Sequence, residues 1–222
     1  MQPQNFDAYA PSYYNHFTNS LIGKEQRLQV HQKLLNKISF INKSVLEINC
    51  GTGEDALWLS KQSAAVIATD ISQGMINVAK NKLTNSSIDF KTLAAQNISS
   101  LSPNKFQVIF SNFGGLNCLN NHEFQKFKAG CEQLQKSCDQ LAFVIMGTKC
   151  KWEQLYFSFK KDKAKATRRQ VKAGVETIIN DNHFKTYYYS PAEMKQLFKE
   201  NYNCITVKPV GLFVPPSYLE PY

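Results

Sequence analysis

Five short apolar runs, at residues 44–48, 65–69, 88–93, 106–110 and 141–146, constrain this chain more than any other feature. Each is too short for a buried helix and too uniformly apolar for a strand with one wet face. Between them lie segments with helical spacing, at 54–62, at 74–82 entered from Ser72, and at 122–138. Fully apolar strands joined by helical crossovers belong to a parallel sheet covered on both faces, so the expected class is α/β. Before the first run, residues 6–35 carry Tyr13, Phe17, Leu21, Leu28, Leu34 and Leu35 at helical spacing and read as one or two helices. After the fifth run the alternation breaks. Residues 151–175 are aromatic and then basic, 175–179 and 184–189 read as a hairpin, and Ser190-Pro191 opens a capped helix. A sixth strand is expected at 204–210, followed by a proline-rich tail that is not strand-like.

With 222 residues and neither a linker nor a repeat, residues 1–222 are read as one domain. It comprises an N-terminal helical lid (1–35), a ligand-binding core (44–146), an insertion (151–189), and a C-terminal helix, strand and tail (190–222). The apolar content of 43% is too high for a largely disordered chain. The longest uncharged apolar run, 141–147, falls far short of the ~20 residues of a membrane span. The first residues lack the basic flank and apolar stretch of a secretory leader. Six cysteines are scattered without a C-x-x-C pair or a histidine at ligand spacing. That argues against a disulfide framework and a metal site, and for the cytoplasm.

Chemistry concentrates where the first run ends. Glu47-Ile-Asn-Cys-Gly51-Thr-Gly53-Glu54 leaves a strand and opens a helix, and Asp70 ends the next strand. The glycines allow a ligand close to the backbone, and an acid at the tip of the second strand can hold two ribose hydroxyls. Ala56 completes a G-x-G-x-x-A match, which makes a nicotinamide dinucleotide the first candidate. However, Glu54 and Asp55 occupy the first helical turn, where they would repel a pyrophosphate. Four carboxylates, Glu47, Glu54, Asp55 and Asp70, suit a cationic adenosyl ligand such as S-adenosyl-L-methionine.

Three stretches carry a family resemblance: Val45-Leu-Glu-Ile-Asn-Cys-Gly-Thr-Gly53, Val66-Ile-Ala-Thr-Asp-Ile-Ser-Gln-Gly-Met75 and Phe106-Gln-Val-Ile-Phe-Ser-Asn-Phe113. In order and spacing they resemble motifs I, post-I and IV of the class I S-adenosylmethionine-dependent methyltransferases. The small-molecule branch typified by ubiquinone and menaquinone methyltransferases is the most similar. Phe6-Asp7-Ala-Tyr-Ala10-Pro-Ser-Tyr13 is similar to the F-D-x-x-A-x-x-Y start that forms a lid over the donor in that branch. The resemblance covers residues 6–146, with a weaker echo to 210. It implies a Rossmann-like, mostly parallel sheet of order 3-2-1-4-5 plus later strands, with helices on both faces and an inserted lid.

It also implies a donor site. Glu47 would lie near the methionine ammonium, Gly51 and Gly53 would give close backbone approach, and Asp70 would take the ribose hydroxyls. Ile71 and Met75 would pack the adenine, Asn112 would face the methionine part, and Tyr13 would close the lid. Asn49 stands where the family has its first glycine, and Gln107 stands where F-D-x-V is usual. Ala94 replaces the usual aspartate after the third strand, leaving Ala95 and Gln96, or Asn97, at the adenine end. The antiparallel seventh strand of the family is not visible before Tyr222.

Methyl transfer from a sulfonium is an in-line displacement that positioning alone can accelerate, so it requires no dedicated nucleophile. A base would help a hydroxyl or amine acceptor. Tyr13, Tyr14, His16 and His122 are candidates, and none is assigned as catalytic. Ser111-Asn112-Phe113-Gly114 is not the D/N-P-P-Y/F tetrapeptide of amino-directed nucleic-acid enzymes, and Cys118 lacks the setting of a pyrimidine-attacking thiol. The aromatics Trp152, Tyr156, Phe157, Phe159 and Tyr187–Tyr189 suggest a lid over a small, aromatic or lipid-like acceptor. The formal charge is +9, with a basic stretch at 160–172. That stretch is a solvated face, an attraction to anionic lipid or acidic substrate, or an RNA contact. The rival readings are an RNA methyltransferase, a nicotinamide-dependent oxidoreductase, and a non-catalytic binding module.

Overall fold

The computed structural model describes residues 6, 7, 10, 20–63, 65–84, 87–135, 139–179 and 182–210. Helix α1 (Leu21–Leu35) is followed by β1 (Ser44–Ile48), α2 (Glu54–Ser60), β2 (Ala65–Asp70), α3 (Gln73–Lys82) and β3 (Ile88–Thr92). A 3-10 helix (Ala95–Leu101) leads to β4 (Val108–Ser111), a 3-10 turn (Gly115–Cys118), α4 (Asn121–Leu134) and β5 (Gln140–Phe143). The strands form one parallel sheet in the order β3-β2-β1-β4-β5, as expected.

Because β1 is central, its side chains alternate between two cores. Val45 joins Val30 of α1, Ala56 and Leu59 of α2, and Ile76 and Ala79 of α3. Leu46 and Ile48 join Ile98, then Phe124, Phe127, Cys131 and Leu134 of α4. The first core determines which side of the sheet α1 and α2 cover, and thereby what Glu47, two residues along from Val45, can meet. Gln107, the departure from F-D-x-V, has a structural role. Its Oε1 accepts from Ser44 N at 2.8 Å and Ser44 Oγ at 2.9 Å, tying the entry of β4 to that of β1.

Beyond β5 come α5 (Lys151–Phe159), α6 (Lys163–Thr167), a 3-10 turn (Arg168–Gln170), the hairpin β6 (Val175–Ile179) and β7 (Asn182–Thr186), and α7 (Pro191–Phe198). The hairpin is a separate two-stranded antiparallel sheet. Ser190 caps α7 as expected, in a capping box with Glu193 and with Pro191 in the first turn. The strand expected at 204–210 is not formed: Ile205 and Val207 are exposed, and nothing pairs with the outer edge of β5 among the described residues. Ile205, Thr206 and Val207 supply β-propensity but not a partner, and Pro209 has no N–H to give a ladder. The N-terminal helical reading between 11 and 19, and the tail from 211 onward, lie outside the described residues.

Candidate active site

The chain leaves β1 through three left-handed residues: Asn49 at φ 57°, Gly51 at φ 54° and Gly53 at φ 84°. Asparagine is among the few side chains that adopt this conformation readily, so the exchange of a glycine for Asn49 keeps the bend. Gly53 also caps α2 where packing is tight. A Cβ there would stand 3.2 Å from carbons of Ala79, Leu83 and Phe90. The Asn49 side chain lies against Gly115, and its Nδ2 is buried without a hydrogen-bond partner among the described residues.

Asp70, at the tip of β2, locks this bend to the next loop. One carboxylate oxygen accepts from Gly51 N and the other from Ser72 N, both at 2.9 Å. Burial raises its pKa, with these two backbone bonds opposing the rise. The carboxylate still has lone-pair capacity for a further donor. Ser72 in turn caps α3 through Met75 N. The loop and the helix start are therefore held in register by one acid.

Glu47 is 1% exposed, and its Oε2 has no hydrogen-bond partner among the described residues. Burial first, and the negative charge of Asp55 second, push its carboxyl well above the usual range, with Arg27 opposing. Asp55 is stabilised differently. Helix α1 presents Arg27 and His31 one turn apart, with Arg27 Nε 3.2 Å and His31 Nε2 2.6 Å from Asp55 Oδ1. Asn112 Nδ2 donates to Oδ2 at 3.1 Å, and His31 stacks on Trp58 at 3.9 Å between ring centres. Burial works against the Asp55 charge. The His31 hydrogen bond and the Arg27 charge outweigh it and hold the carboxyl below its ordinary value.

This arrangement revises the expectation that four carboxylates face one ligand together. Asp55 has its own cations, while Glu54 accepts from Thr52 Oγ1 at 2.7 Å and pairs with Lys82. Among the described residues, Glu47 and Asp70 are the acids of the bend without a cationic side-chain partner. Sequence reasoning missed Arg27 and His31, although their i, i+4 spacing on a helix was a readable signal.

The other candidates fall around the same sheet edge. Asn112 follows β4, with its amide nitrogen on Asp55 and its oxygen accepting from Phe113 N at 2.8 Å. Ile71 is half-buried in the bend after β2, and Met75 is buried in α3. Ala95 is buried in the second core, and Gln96 is half-buried beside it. Tyr13, Tyr14 and His16 lie outside the described residues. The neighbouring Asp7, however, reaches the site edge. Its carboxylate accepts from Ser72 Oγ at 2.5 Å and Gly74 N at 2.8 Å, and a Cβ on Gly74 would strike the Asp7 backbone at 2.8 Å. Phe6 stacks on Phe184 of β7 at 4.2 Å. The N-terminal segment thus bridges the end of β2 and the inserted hairpin. Phe159, read as part of an acceptor lid, is instead 86% exposed.

A parallel sheet of this order with a left-handed bend after β1 and an acid at the tip of β2 defines a Rossmann-like nucleoside-binding domain. The sequence of that core narrows the class. Residues 45–137, less than half of this chain, match the family described as Methyltransferase domain, so this core is similar to a methyltransferase domain. A malonyl-[acyl-carrier protein] O-methyltransferase of Priestia megaterium is 39% identical over 94 residues. That match covers 39% of this chain and only 33% of the relative, about a third of its length. Solved structures share the fold over most of their length. A S-adenosylmethionine-dependent methyltransferase from Clostridium acetobutylicum superposes with a TM-score of 0.61 at 14% identity, covering 95% of each chain. Magnesium protoporphyrin IX methyltransferase from Synechocystis PCC 6803, with bound SAH, gives a TM-score of 0.61 at 15% identity, covering 88% of this chain and 85% of that one.

Proposed function

We propose that this protein transfers a methyl group from S-adenosyl-L-methionine to a small-molecule acceptor. The observation that carries the reading is the buried Glu47 carboxyl, one oxygen of which has no hydrogen-bond partner among the described residues, beside a left-handed bend anchored by Asp70. A dinucleotide, with its anionic pyrophosphate, has no use for such a group. A ligand with an ammonium repays its burial. The residues therefore fit the donor. Glu47 would face the ammonium, Gly51 and Gly53 the backbone approach, and Asp70 the two ribose hydroxyls. Ile71 and Met75 would pack the adenine, with Ala95 and Gln96 at its edge, and Asn112 would stand near the methionine part. When bound, the sulfonium supplies an electrophilic methyl that needs no enzyme nucleophile. The protein's share is to orient, and to exclude water through the Asp7–Phe6 bridge and the hairpin.

In the first turn of α2 Glu54 and Asp55 already engage Lys82, Arg27 and His31, so these cations are not available to a pyrophosphate, which disfavours a nicotinamide dinucleotide. The activities of the malonyl-[acyl-carrier protein] O-methyltransferase and of the structurally similar magnesium protoporphyrin IX methyltransferase support an acceptor of small-molecule type. Residues 1–222 serve as one domain in this reading, working in the cytoplasm. No helix among the described residues is long and apolar enough to cross a membrane.

A thermal-shift comparison of S-adenosylhomocysteine, NAD and no ligand tests the proposal. A ligand at 100 times its Kd adds about 2.7 kcal/mol, so the homocysteine ligand should raise Tm by several degrees and NAD should not. Asp70→Ala should abolish most of that shift. A shift with NAD alone, or none with either, would refute the donor assignment.

A further inference from the structure

Helix α5 turns apolar side chains outward. Leu155 and Phe159, one turn apart, are 59% and 86% exposed, and Trp152, one turn earlier, is 41% exposed. The inward side is carried by Glu153, which is 1% exposed. Arg168 Nε lies 2.6 Å from one Glu153 oxygen, and Arg169 approaches the other at 3.0 Å through Nε and 2.8 Å through a terminal nitrogen. Rotating α5 to bury Leu155 and Phe159 would strip a buried carboxylate of both guanidinium groups, which is costly. The outward stripe is therefore held in place by the structure beneath it.

Cations surround that stripe in the chain. Lys151 precedes it, and Lys160, Lys161 and Lys163 follow, all exposed. Between residues 151 and 172 eight Lys or Arg face two Asp or Glu, a net +6 out of the formal +9 of the whole chain. Lys161 is left-handed at φ 56°, so the chain turns a corner directly after Phe159 before α6 begins. Glu153 is already neutralised by two arginines, and Asp162 caps α6 through Lys165 N. The exposed charge of this corner is thus strongly positive and is interleaved with apolar side chains.

We propose that the α5–α6 corner docks on an anionic lipid surface, with Leu155 and Phe159 entering the headgroup region and the lysines lying against lipid phosphates. An RNA would use the lysines and have no need of Leu155 or Phe159. A bilayer uses both, since apolar insertion and electrostatic attraction add at an interface. Lysine stems can lie along the apolar layer while their ammonium groups stay wet. The proposal is independent of the methyl-transfer reading, because it is read by vesicle binding without any donor.

The test is co-sedimentation of the full chain with vesicles of phosphatidylcholine alone and of phosphatidylcholine containing phosphatidylglycerol. Binding is expected with the anionic vesicles, little with the neutral ones, and a loss as salt rises. Leu155→Ser/Phe159→Ser and, separately, Lys160→Gln/Lys161→Gln/Lys163→Gln should each weaken binding about tenfold or more. Both variants should keep the melting temperature of the parent, since the altered side chains are exposed. Absence of binding to anionic vesicles at low salt, or full binding by the Leu155→Ser/Phe159→Ser protein, would overturn the proposal. So would tight RNA binding, or self-association removed by the same double substitution, since either assigns the surface to another partner.

Discussion

Glu47 and Asp55 are both buried acids on the same side of the sheet, yet they titrate in opposite directions. Their neighbours decide this: Asp55 meets Arg27, His31 and Asn112, whereas an oxygen of Glu47 meets no donor among the described residues. For Glu47 the folded pKa is raised, so between the unfolded value near 4.5 and the raised value the folded chain holds the extra proton. Stability contributed by this group therefore declines as pH rises through that window. Glu47→Gln should flatten the slope and stabilise the unliganded protein at neutral pH by about 1–2 kcal/mol. The same change should weaken S-adenosylhomocysteine about tenfold, because the ammonium loses its counter-charge. Melting curves across pH, with and without ligand, check both arms; a variant that is destabilised without ligand would count against the burial argument. Asp55 is the mirror case. Its depressed pKa gives stability that is present above about 3.8 and lost as pH falls below it. Asp55→Asn leaves Arg27 without its counter-ion and should cost about 3 kcal/mol, measured by denaturant unfolding. The positions of Asp70, Gly51 and Gly53 were legible in the sequence because a glycine bend and a strand-end acid are local features. The pairing of Asp55 was not, since its cations arrive from a helix more than twenty residues upstream.

Asn117 shows how an inserted element is tied to the sheet. It is fully buried, and its Nδ2 donates to Met146 O at 3.0 Å and Tyr187 O at 2.5 Å. Its Oδ1 accepts from Met146 N at 2.8 Å, so one side chain joins the turn after β4, the segment after β5 and the exit of the hairpin. Asn117→Ala removes these three bonds and leaves buried backbone groups unpaired, at a cost of about 2–3 kcal/mol. The hairpin should loosen first: hydrogen exchange at 184–189 should accelerate more than in β1, whereas equal acceleration in both would mean that the molecule opens as one unit. The elements themselves were largely readable. β1 runs over the expected residues, β2 and β3 differ from expectation by one residue, and Ser190-Pro191 caps its helix as expected. Attachment was harder to foresee. The run at 204–210 has the β-propensity of a strand, but pairing is decided by a distant edge, and no neighbour meets it among the described residues.

At the scale of the whole molecule, charge is segregated. The insertion holds most of the net positive charge, while at the bend after β1 Glu47 and Asp70 have no cationic side-chain partner among the described residues. A uniformly basic surface would repel a cationic donor; this distribution gives the donor a local acidic site within a basic chain. Two ligands of one shape separate these influences. S-adenosylhomocysteine is a zwitterion with no net charge, and S-adenosylmethionine carries one extra positive charge on sulfur. Replacing Lys160, Lys161 and Lys163 by glutamate lowers the formal charge from +9 to +3, since each exchange removes two units. Homocysteine-ligand affinity should stay within about twofold, because a uniform field acts little on a zwitterion. Methionine-ligand affinity should rise by a larger factor at about 0.01 M salt, where the Debye length is about 30 Å, and by little at about 0.15 M. Calorimetric titration of both ligands at the two salt concentrations decides the matter. If the two affinities fell together in the glutamate variant, those lysines would be touching the donor, and the insertion would belong to the donor site rather than standing apart from it.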